Sequence, residues 1–404
     1  MLVPKLIAEF SELDAWIPAW DLLAVEAGLP LMAPACALAW WRHLASARAE
    51  LRAIAIREGD ETIGFAPFYA DVGAHWMRQD WRLPGIELAA GLAPLARAGR
   101  EREVAGAIAT AVAGARDRPD LVALEGMPAT ASWDTDLKAG WPGRVAPLTI
   151  GYLTRDCPVV SLREESFEAW LAGKSSNFRG QMRRLRRRFG EAGGAMRLSS
   201  SETLTADVAA FVRLHAGRWE GRGESRLVSY GERLGAMLED LGRELLEQGR
   251  FRLWIGEVAG ETISAQLFLA AGERSLYVNG GWDERFAKLK PSLLAILAAI
   301  EQGFEHGERC LDLGVGPQDY KLRFADANAP VGWSVLVPAG ARMPLALPHT
   351  AWALGGTALR STIKERVAPE RLERYRALRA RLRRETRHGA QPPAPGAGAQ
   401  TGSG

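Results

Sequence analysis

Apolar and polar positions alternate in two stretches of the chain that lie 200 residues apart. The stretches "LRAIAIREGDETIGFAPFYA" (51–70) and "FRLWIGEVAGETISAQLFLA" (251–270) align without a gap and share six of twenty residues. In each stretch two alternating runs flank a turn, at residues 59–60 or 259–260, which predicts a β-hairpin. This similarity predicts an internal repeat of two related modules.

The elements that follow the two hairpins come in the same order, a helix and then a short apolar strand. They are predicted at 101–115 and 121–126 in the first half, and at 292–306 and 310–314 in the second. The second half also predicts helices at 176–189 and 204–219 and strands near 251–258, 262–270 and 275–280. The second half thus has three antiparallel strands, then a helix, then a strand parallel to the third. This order predicts a splayed sheet, in which the backbone groups beside the gap have no partner strand.

We therefore predict an α/β (α+β) fold of tandem modules with mixed, splayed central sheets flanked by helices. An N-terminal module is expected at 1–150 and a second module at 158–338. Residues 339–404 are expected to form a link, a basic helix at about 360–386 and a disordered end, "GAQPPAPGAGAQTGSG".

The stretch "SSNFRGQMRRLRRRFG" (175–190) contains six arginines and no acid. Its apolar residues recur with helical spacing and predict one buried stripe, formed by Phe178, Met182, Leu185 and Phe189. Ser176 or Asn177 is the expected N-cap, and Gly190 the expected end. The cationic side is either a solvated face, a wall for an anionic substrate, or a nucleic-acid surface. Both aromatic residues fall on the buried stripe, which disfavours nucleic acid.

Charge is distributed unevenly along the 404 residues, whose net charge is +3. Residues 360–388 hold eleven Arg and Lys residues against four Glu, so the rest of the chain is mildly acidic. A general nucleic-acid role is therefore not expected. With 47% hydrophobic and 25% charged residues, the composition is typical of a globular protein.

Cysteines and histidines give little support to a disulfide framework or a metal site. The three cysteines are widely spaced without a CxxC pair, and the six histidines form no HxH or HExxH pair. The N-terminal stretch carries acids where a signal peptide carries positive charge, and no apolar run is long enough to span a bilayer. We therefore expect a cytoplasmic protein that binds no metal.

Three stretches of the second half resemble a known superfamily. They are the helix "NFRGQMRRLRR", the run "LHAGRW" (214–219) and "YVNGGWDERFAKLKPSLLAILAAIEQGFEHG" continuing into "CLDLGVGPQDYKLRFAD". Together they resemble the GNAT acyltransferases, and in particular their two-module CelD/BcsL-type (BioF2-like) branch of acetyltransferases, which is related to the Fem peptidyl transferases. The resemblance covers about residues 5–337.

The resemblance implies direct, acetyl-CoA-dependent (or other acyl-CoA-dependent) acyl transfer to an amine or a hydroxyl. It also implies a link to cellulose or exopolysaccharide production, with a small molecule or glycan precursor as acceptor. One departure from the family pattern is "RFAKLK" (285–290), which has lysines where the pyrophosphate loop of GNAT enzymes has glycines. A Fem-like transferase that uses aminoacyl-tRNA therefore stays open, as does a non-catalytic scaffold that contacts a lipid surface or a partner through the basic C-terminal helix.

Acyl transfer needs a donor for the oxyanion, a group that protonates the leaving sulfur and in some enzymes a base. By resemblance, Tyr320 protonates the thiolate and Lys321 stabilises developing negative charge. Asp319 and Asp312 are expected to act as bases or to orient the lysine. The first module lacks a Tyr-Lys pair after its strand at 121–126, so it is expected to be catalytically silent.

Donor binding is expected at two places. Backbone N–H groups at Val278, Asn279 and Gly280 would hold the thioester carbonyl, and the amides of a pantetheine arm would pair with the open sheet like an added strand. The helix that begins at Pro291 offers its free N–H groups, at Ser292 for example, to a phosphate, with Lys288 and Lys290 beside it.

Four residues are candidates for acceptor binding. They are Arg179 and Arg183 on the basic helix, and His215 and Trp219, which share a helix face at a spacing of four. A packed His-Trp pair inside the core is the alternative for the last two. The run Asn279-Gly280-Gly281-Trp282 is expected to mark a strand end followed by a turn.

Overall fold

A computed structural model describes residues 1–72, 79–219, 227–340 and Met343. Within this part of the chain, two mixed β-sheets carry helices on their faces, as predicted. The first sheet has the order β1-β2-β3-β4-β6-β15-β7, with β5 also on β3. Its strands are β1 (Leu2–Ile7), β2 (Ala49–Glu58), β3 (Glu61–Val72), β4 (Gln79–Arg82), β5 (Leu95–Ala96), β6 (Leu121–Pro128), β7 (Leu148–Arg155) and, from much later in the chain, β15 (Val331–Val337).

The second sheet has the order β14-β8-β13-β12-β11-β10-β9. Its strands are β8 (Pro158–Ser161), β9 (Gly194–Leu198), β10 (Phe251–Val258), β11 (Glu261–Ala271), β12 (Arg274–Trp282), β13 (Cys310–Asp312) and β14 (Ala327–Asn328). The helices are α1 (Ile17–Glu26), α2 (Pro34–His43), α3 (Glu101–Gly114), α4 (Trp133–Ala139), α5 (Phe167–Gly173), α6 (Ser176–Glu191), α7 (Leu204–Trp219), α8 (Glu232–Leu245), α9 (Pro291–Glu305) and α10 (Asp319–Leu322).

The two hairpins of the internal repeat are confirmed, and they share a detail that the sequence comparison did not predict. In β2–β3, Ile63 is an extra residue between two paired positions, which makes a β-bulge. In β10–β11, Ile263 is the extra residue of an equivalent bulge. The bulges lie 200 residues apart, the same offset as the sequence repeat, so the two hairpins match residue by residue.

Helix α6 buries its four predicted apolar residues, but both of its ends differ from the prediction. The N-cap is Ser175, whose hydroxyl accepts a hydrogen bond of 3.2 Å from the Phe178 amide. Ser175 has non-helical backbone angles, with φ −57° and ψ 151°, while Ser176 is already helical. The helix also continues through Gly190 to Glu191, and Gly193 takes the left-handed conformation, with φ +70°.

The second sheet is splayed, as predicted. Strands β12 and β13 are parallel partners only from Arg274 to Leu276, opposite Cys310 to Asp312. Strand β12 then continues to Trp282 without a partner strand on that side, because β13 ends at Asp312. The stretch from Tyr277 to Trp282 is the open edge of β12.

The run Asn279-Gly280-Gly281-Trp282 is the end of strand β12, and the chain then turns into a short 3₁₀ helix at Glu284–Leu289. A Cβ on Gly281 would lie 2.3 Å from the Leu214 carbonyl carbon and 2.5 Å from the His215 nitrogen in α7. A Cβ on Gly280 would lie 2.0 Å from the Gln266 side chain. These glycines therefore allow a close approach of neighbouring groups to the strand.

The sheets exchange strands across the two halves. Strand β15, inside the predicted second module of 158–338, lies in the first sheet between β6 and β7. Strand β8 follows β7 after two residues and pairs with β13 in the second sheet. The bounds of the predicted modules stay a prediction, and the expected basic helix and C-terminal end lie outside the described residues.

The first module packs against the end of the second sheet where β12 begins. Helix α2 contacts α8, and α1 lies against the β11–β12 turn, where a Cβ on Gly272 would come within 2.3 Å of the Val25 oxygen. Asp21 pairs with Arg250 at 2.7 Å across this contact. The open edge of β12 lies at the opposite end of the sheet.

Candidate active site

Two tyrosines and an arginine meet at the open edge of β12. Tyr277 is the first residue of that edge, and Tyr320 lies on α10, just beyond β13. The Arg218 guanidinium, from the last turn of α7, lies beside both tyrosine side chains and acts on their phenols. Burial raises the pKa of both phenols, and the positive charge of Arg218 opposes the rise. Both hydroxyls are therefore protonated at neutral pH.

Arg218 and His215 also contact the strand itself. An Arg218 Nη1 donates to the Gly280 carbonyl at 3.4 Å, and the His215 Nδ1 lies 3.4 Å from the same oxygen. The Arg218 guanidinium carbon lies 4.3 Å from the centre of the Trp282 ring, a cation–π contact. His215 is fully buried and stacks on Phe211, and burial lowers its pKa. The residue is therefore neutral at neutral pH and packs against Phe211, while a packed pair with Trp219 stays a prediction.

A buried hydrogen-bond chain continues from Tyr277 into the sheet. The Tyr277 hydroxyl donates to the Gln266 Oε1 at 2.8 Å. The Gln266 amide nitrogen donates to the Ser264 hydroxyl at 3.1 Å and to the Gly281 carbonyl at 2.9 Å. Ser264 and Gln266 have no exposed surface. This chain fixes the phenol of Tyr277 beside the open edge.

Lys321 lies behind Tyr320, inside the protein. Its side chain is only 5% exposed, and its Nζ donates to the carbonyls of Gly314 and Val315 at 3.0 and 2.9 Å. Burial lowers the pKa of Lys321 to about 8, and nearby Cys157 and Asp312 oppose that shift. The lysine therefore holds the loop after β13 and places a positive charge near the base of the split.

The two predicted aspartates differ in their surroundings. Asp312 is buried, accepts from Arg274 at 2.9 Å and accepts the Gly314 amide at 2.8 Å. These contacts commit both of its oxygens to holding the β13 loop. Asp319 is exposed at the first position of α10, next to Tyr320.

The predicted oxyanion donors lie on the open edge, and one of them has a partner. The Gly280 amide donates to the Asn279 side chain at 2.9 Å. Val278 is the extra residue of a third β-bulge, between the pairs Leu267–Asn279 and Phe268–Tyr277. A bulge breaks the pairing of the strand, so it re-aims backbone groups at this point.

The predicted phosphate-binding residues lie at the same end of the sheet as the open edge. The start of α9 sits over β10, since a Cβ on Gly256 would lie 3.8 Å from that of Pro291. Gly256 pairs with Ser264, which pairs with Trp282, so the start of α9 lies two strands, or about 10 Å, from the open edge of β12.

The side chains around that helix start are available to a ligand. Lys288 and Lys290 are exposed, and Lys290 precedes the helix in the left-handed conformation, with φ +48°. The Ser292 hydroxyl is buried and has no hydrogen-bond partner. The N-terminus of α9 thus combines a free hydroxyl with two cations.

The predicted acceptor residues do not form one group. Arg179 donates to the Ala172 carbonyl at 2.8 Å and so holds the end of α5, while Arg183 is exposed on α6. Trp219 is the last described residue of α7, and its side chain lies outside the described residues.

The corresponding gap of the first module is filled by its own chain. Between β4 and β5, residues 83–94 turn into the gap, where the amides of Gly91 and Leu92 donate to the Gly126 carbonyl of β6 at 2.8 and 3.3 Å. A Cβ on Gly126 would lie 2.8 Å from the Ile86 side chain. The added backbone takes the place that an extended ligand would take in the second module.

The described part of the chain holds no group of three His, Cys, Asp or Glu side chains suited to a metal ion. Within the same residues, no helix is both long enough and apolar enough to cross a bilayer.

Three side chains of this site were not predicted, namely Arg218, Tyr277 and Gln266. Arg218 had a detectable feature, because it is three positions from His215 and shares its helix face. Tyr277 and Gln266 looked like ordinary strand residues, and the bulge that aligns them has no signature in the sequence.

Comparison with known proteins identifies the second module. Residues 176–322, from α6 to α10, match the family model described as "Acetyltransferase (GNAT) domain". This part of the chain is therefore similar to GNAT acetyltransferase domains, and the predicted resemblance to that superfamily is confirmed. No curated protein sequence matches the chain.

Two solved structures share its fold. A crystal structure of FemX is 13% identical with a TM-score of 0.56, and the match covers 82% of this chain and 96% of that one. A protein of unknown function from Bacteroides thetaiotaomicron is 8% identical with a TM-score of 0.51, covering 83% and 100%. These similarities extend over both sheets and show that the chain has a fold like that of FemX.

Proposed function

We propose that the protein is an acyl-CoA-dependent acyltransferase that passes an acyl group, acetyl by family resemblance, directly to an amine or hydroxyl. The observation that carries this proposal is the open edge of β12 with the Tyr320 hydroxyl beside it. An open strand edge offers unpaired backbone groups to the amides of a pantetheine arm, and a protonated phenol at the same place supplies the acid that a leaving thiolate needs.

The donor would lie along Tyr277 to Trp282, with its phosphates toward the start of α9. The residues there fit such a ligand, because Lys288 and Lys290 are cationic and the buried Ser292 hydroxyl lacks a partner. Side-chain contacts with the phosphates would replace the close backbone approach that glycines allow in other GNAT enzymes.

In the proposed reaction the acceptor nitrogen or oxygen bonds to the thioester carbon, and the carbon–sulfur bond breaks. The bulge at Val278 supplies backbone N–H groups for the oxyanion, and Tyr320 gives its proton to the departing sulfur. Of the two aspartates, Asp319 is the one with accessible oxygens, so we assign it the proton of the acceptor. Asp312 and Lys321 hold the loop that carries Tyr320.

We further propose one donor site per chain. Residues 83–94 fill the first module's gap, and neither β6 nor the segment after it carries a Tyr-Lys pair. The first module would then act as a wall of the acceptor groove. That the acceptor is a glycan precursor of cellulose or exopolysaccharide production rests on family resemblance alone.

Calorimetry and thermal shift with acetyl-CoA, longer acyl-CoAs and free CoA test the proposal. We expect one binding event per chain, a stabilised protein, and release of free thiol once an acceptor is supplied. Tyr320→Phe should keep donor binding and lower turnover about 100-fold, the smaller effect expected when a general acid is removed. Full turnover in Tyr320→Phe, or no binding of any CoA species, contradicts the proposal.

A second candidate is transfer from aminoacyl-tRNA, which the exposed arginine face of α6 favours. Arg183, Arg184, Arg187 and Arg188 are all exposed on this helix, and such a face suits a phosphate backbone. Co-purification of tRNA together with no thermal shift by CoA would support this candidate. A non-catalytic scaffold would lose localisation on deletion of residues 360–404 and would show no transfer with either donor.

A further inference from the structure

Arg218 reaches through the gap of the second sheet from one face to the other. Its helix, α7, lies on the face where Gly281 meets Leu214, and Val278 belongs to the same core cluster as Leu214. The Tyr277 ring belongs to the other cluster, with residues of α9. Since the guanidinium lies over the Trp282 ring and beside the phenols of Tyr277 and Tyr320, its side chain passes the sheet where β12 has no neighbouring strand.

The guanidinium is held in this position from two sides. Its Nη1 donates to the Gly280 carbonyl, and its carbon lies over the Trp282 ring, 4.3 Å from the ring centre. A guanidinium has five N–H donors in a rigid, planar arrangement, so a group fixed in this way sets the direction of each remaining hydrogen bond. The Tyr320 ring, by contrast, stands on α10, a helix of only four residues.

We propose that Arg218 is a positioning residue that holds the Tyr320 hydroxyl at the open edge of β12, aimed at the leaving sulfur. The inference rests on the proposed acyl transfer and adds a residue to it. Arg218 has a second effect on the same hydroxyl, because it opposes the rise that burial causes in the pKa of Tyr320. The phenol is therefore a stronger acid with Arg218 in place than without it.

Loss of Arg218 should change turnover more than donor binding. A misplacement of a catalytic group by about 1 Å costs about 100-fold in rate, and we expect a decrease of that order in kcat for Arg218→Gln. The KM for acyl-CoA should change less than kcat, since Arg218 contacts the proposed donor strand through a long hydrogen bond of 3.4 Å to the Gly280 carbonyl, and the proposed phosphate contacts lie at α9. Arg218→Lys keeps the charge but loses the rigid arrangement, so it should fall between Arg218→Gln and the unmodified protein.

The test combines kinetics with direct observation of the phenol. Tyrosines are replaced by 3-fluorotyrosine, the Tyr320 signal is assigned in the ¹⁹F spectrum with Tyr320→Phe, and its ionisation is followed against pH. We expect Arg218→Gln to move the Tyr320 ionisation to higher pH. Arg213→Gln is the matched control, because Arg213 is exposed on the same helix and acts on Asp283 instead. It should leave the ionisation and kcat unchanged.

Kinetic coupling completes the test. If Arg218 acts through Tyr320, Arg218→Gln should lower kcat little further in the Tyr320→Phe background. Additive losses, or an ionisation of Tyr320 that is the same in Arg218→Gln as in the unmodified protein, would overturn the inference. If no acyl donor supports turnover, the proposed function fails, whereas the ¹⁹F titration still decides whether Arg218 controls Tyr320.

Discussion

The buried Lys321 should make the stability of the protein rise with pH in a defined window. Its ammonium is 5% exposed and has the carbonyls of Gly314 and Val315 as partners. Burial lowers its pKa in the folded protein from 10.5 to about 8. Between these two values the unfolded chain binds a proton that the folded chain does not, so the free energy of unfolding increases with pH.

The size of the effect follows from the two pKa values. Each tenfold change in proton affinity corresponds to 1.36 kcal/mol, so a charged Lys321 costs the folded state about 3 kcal/mol. This cost is fully present below about pH 8, and it is removed progressively as the pH rises to 10.5. In Lys321→Met the carbonyl partners are lost at every pH, which is a constant cost and does not alter the slope.

Urea unfolding of the wild type and Lys321→Met from pH 7 to pH 10.5 measures this difference. We expect the wild type to gain about 3 kcal/mol relative to the variant across the window. Lys138→Met is the control, because Lys138 is exposed on α4, and its difference from the wild type should be flat. A flat difference for Lys321→Met as well would show that the folded protein does not lower the affinity of this lysine for a proton.

Three further predictions concern stability and reactivity. Gly281→Ala forces α7 away from β12 by about 1 Å, so it should lower the free energy of unfolding by about 2–3 kcal/mol. Gly217 lies on the same helix with open space around it, so Gly217→Ala should raise the free energy of unfolding by about 0.5–1 kcal/mol in the same urea assay. Arg252 and Glu308 form a buried ion pair of 2.6 Å. Arg252→Met alone should lower the free energy of unfolding by about 3–5 kcal/mol, because it leaves a buried carboxylate without its partner. Replacing both residues by apolar ones should lower it far less, and equal losses in the two variants would contradict this reasoning. Burial raises the pKa of the Cys36 thiol to about 12, so Cys36 should react with Ellman's reagent only as fast as the protein unfolds.

The parts of the fold that depend on local patterns could be predicted from the sequence. The stripe of α6 and the alternation in the two hairpins depend on spacing alone, and the structure buries these residues as expected. The splayed sheet followed from the order of the elements, because a strand that comes after a helix and runs parallel to its neighbour leaves a gap in an otherwise antiparallel sheet.

Other features depend on contacts that spacing does not encode. The glycines at 280 and 281 indicate the end of a strand, but the sequence does not indicate that they allow the close approach of α7 and Gln266. Nothing in "VGWSVLV" (331–337) indicates which of two sheets it joins. The position of Tyr320 came from family resemblance, whereas Arg218 needed the structure, since only the packing of α7 shows that its side chain enters the gap.

The exchange of strands between the sheets has a consequence for synthesis of the protein. Strand β15 occupies an inner position in a sheet whose other members lie within the first 155 residues. During translation, β6 and β7 are therefore synthesised well before β15, and the backbone edges that β15 later pairs with stay unpaired in the meantime. Unpaired strand edges are prone to pair with strands of other chains. Folding of the N-terminal half is thus completed after translation of residue 337, and a gene fragment that stops at residue 155 should yield aggregated protein.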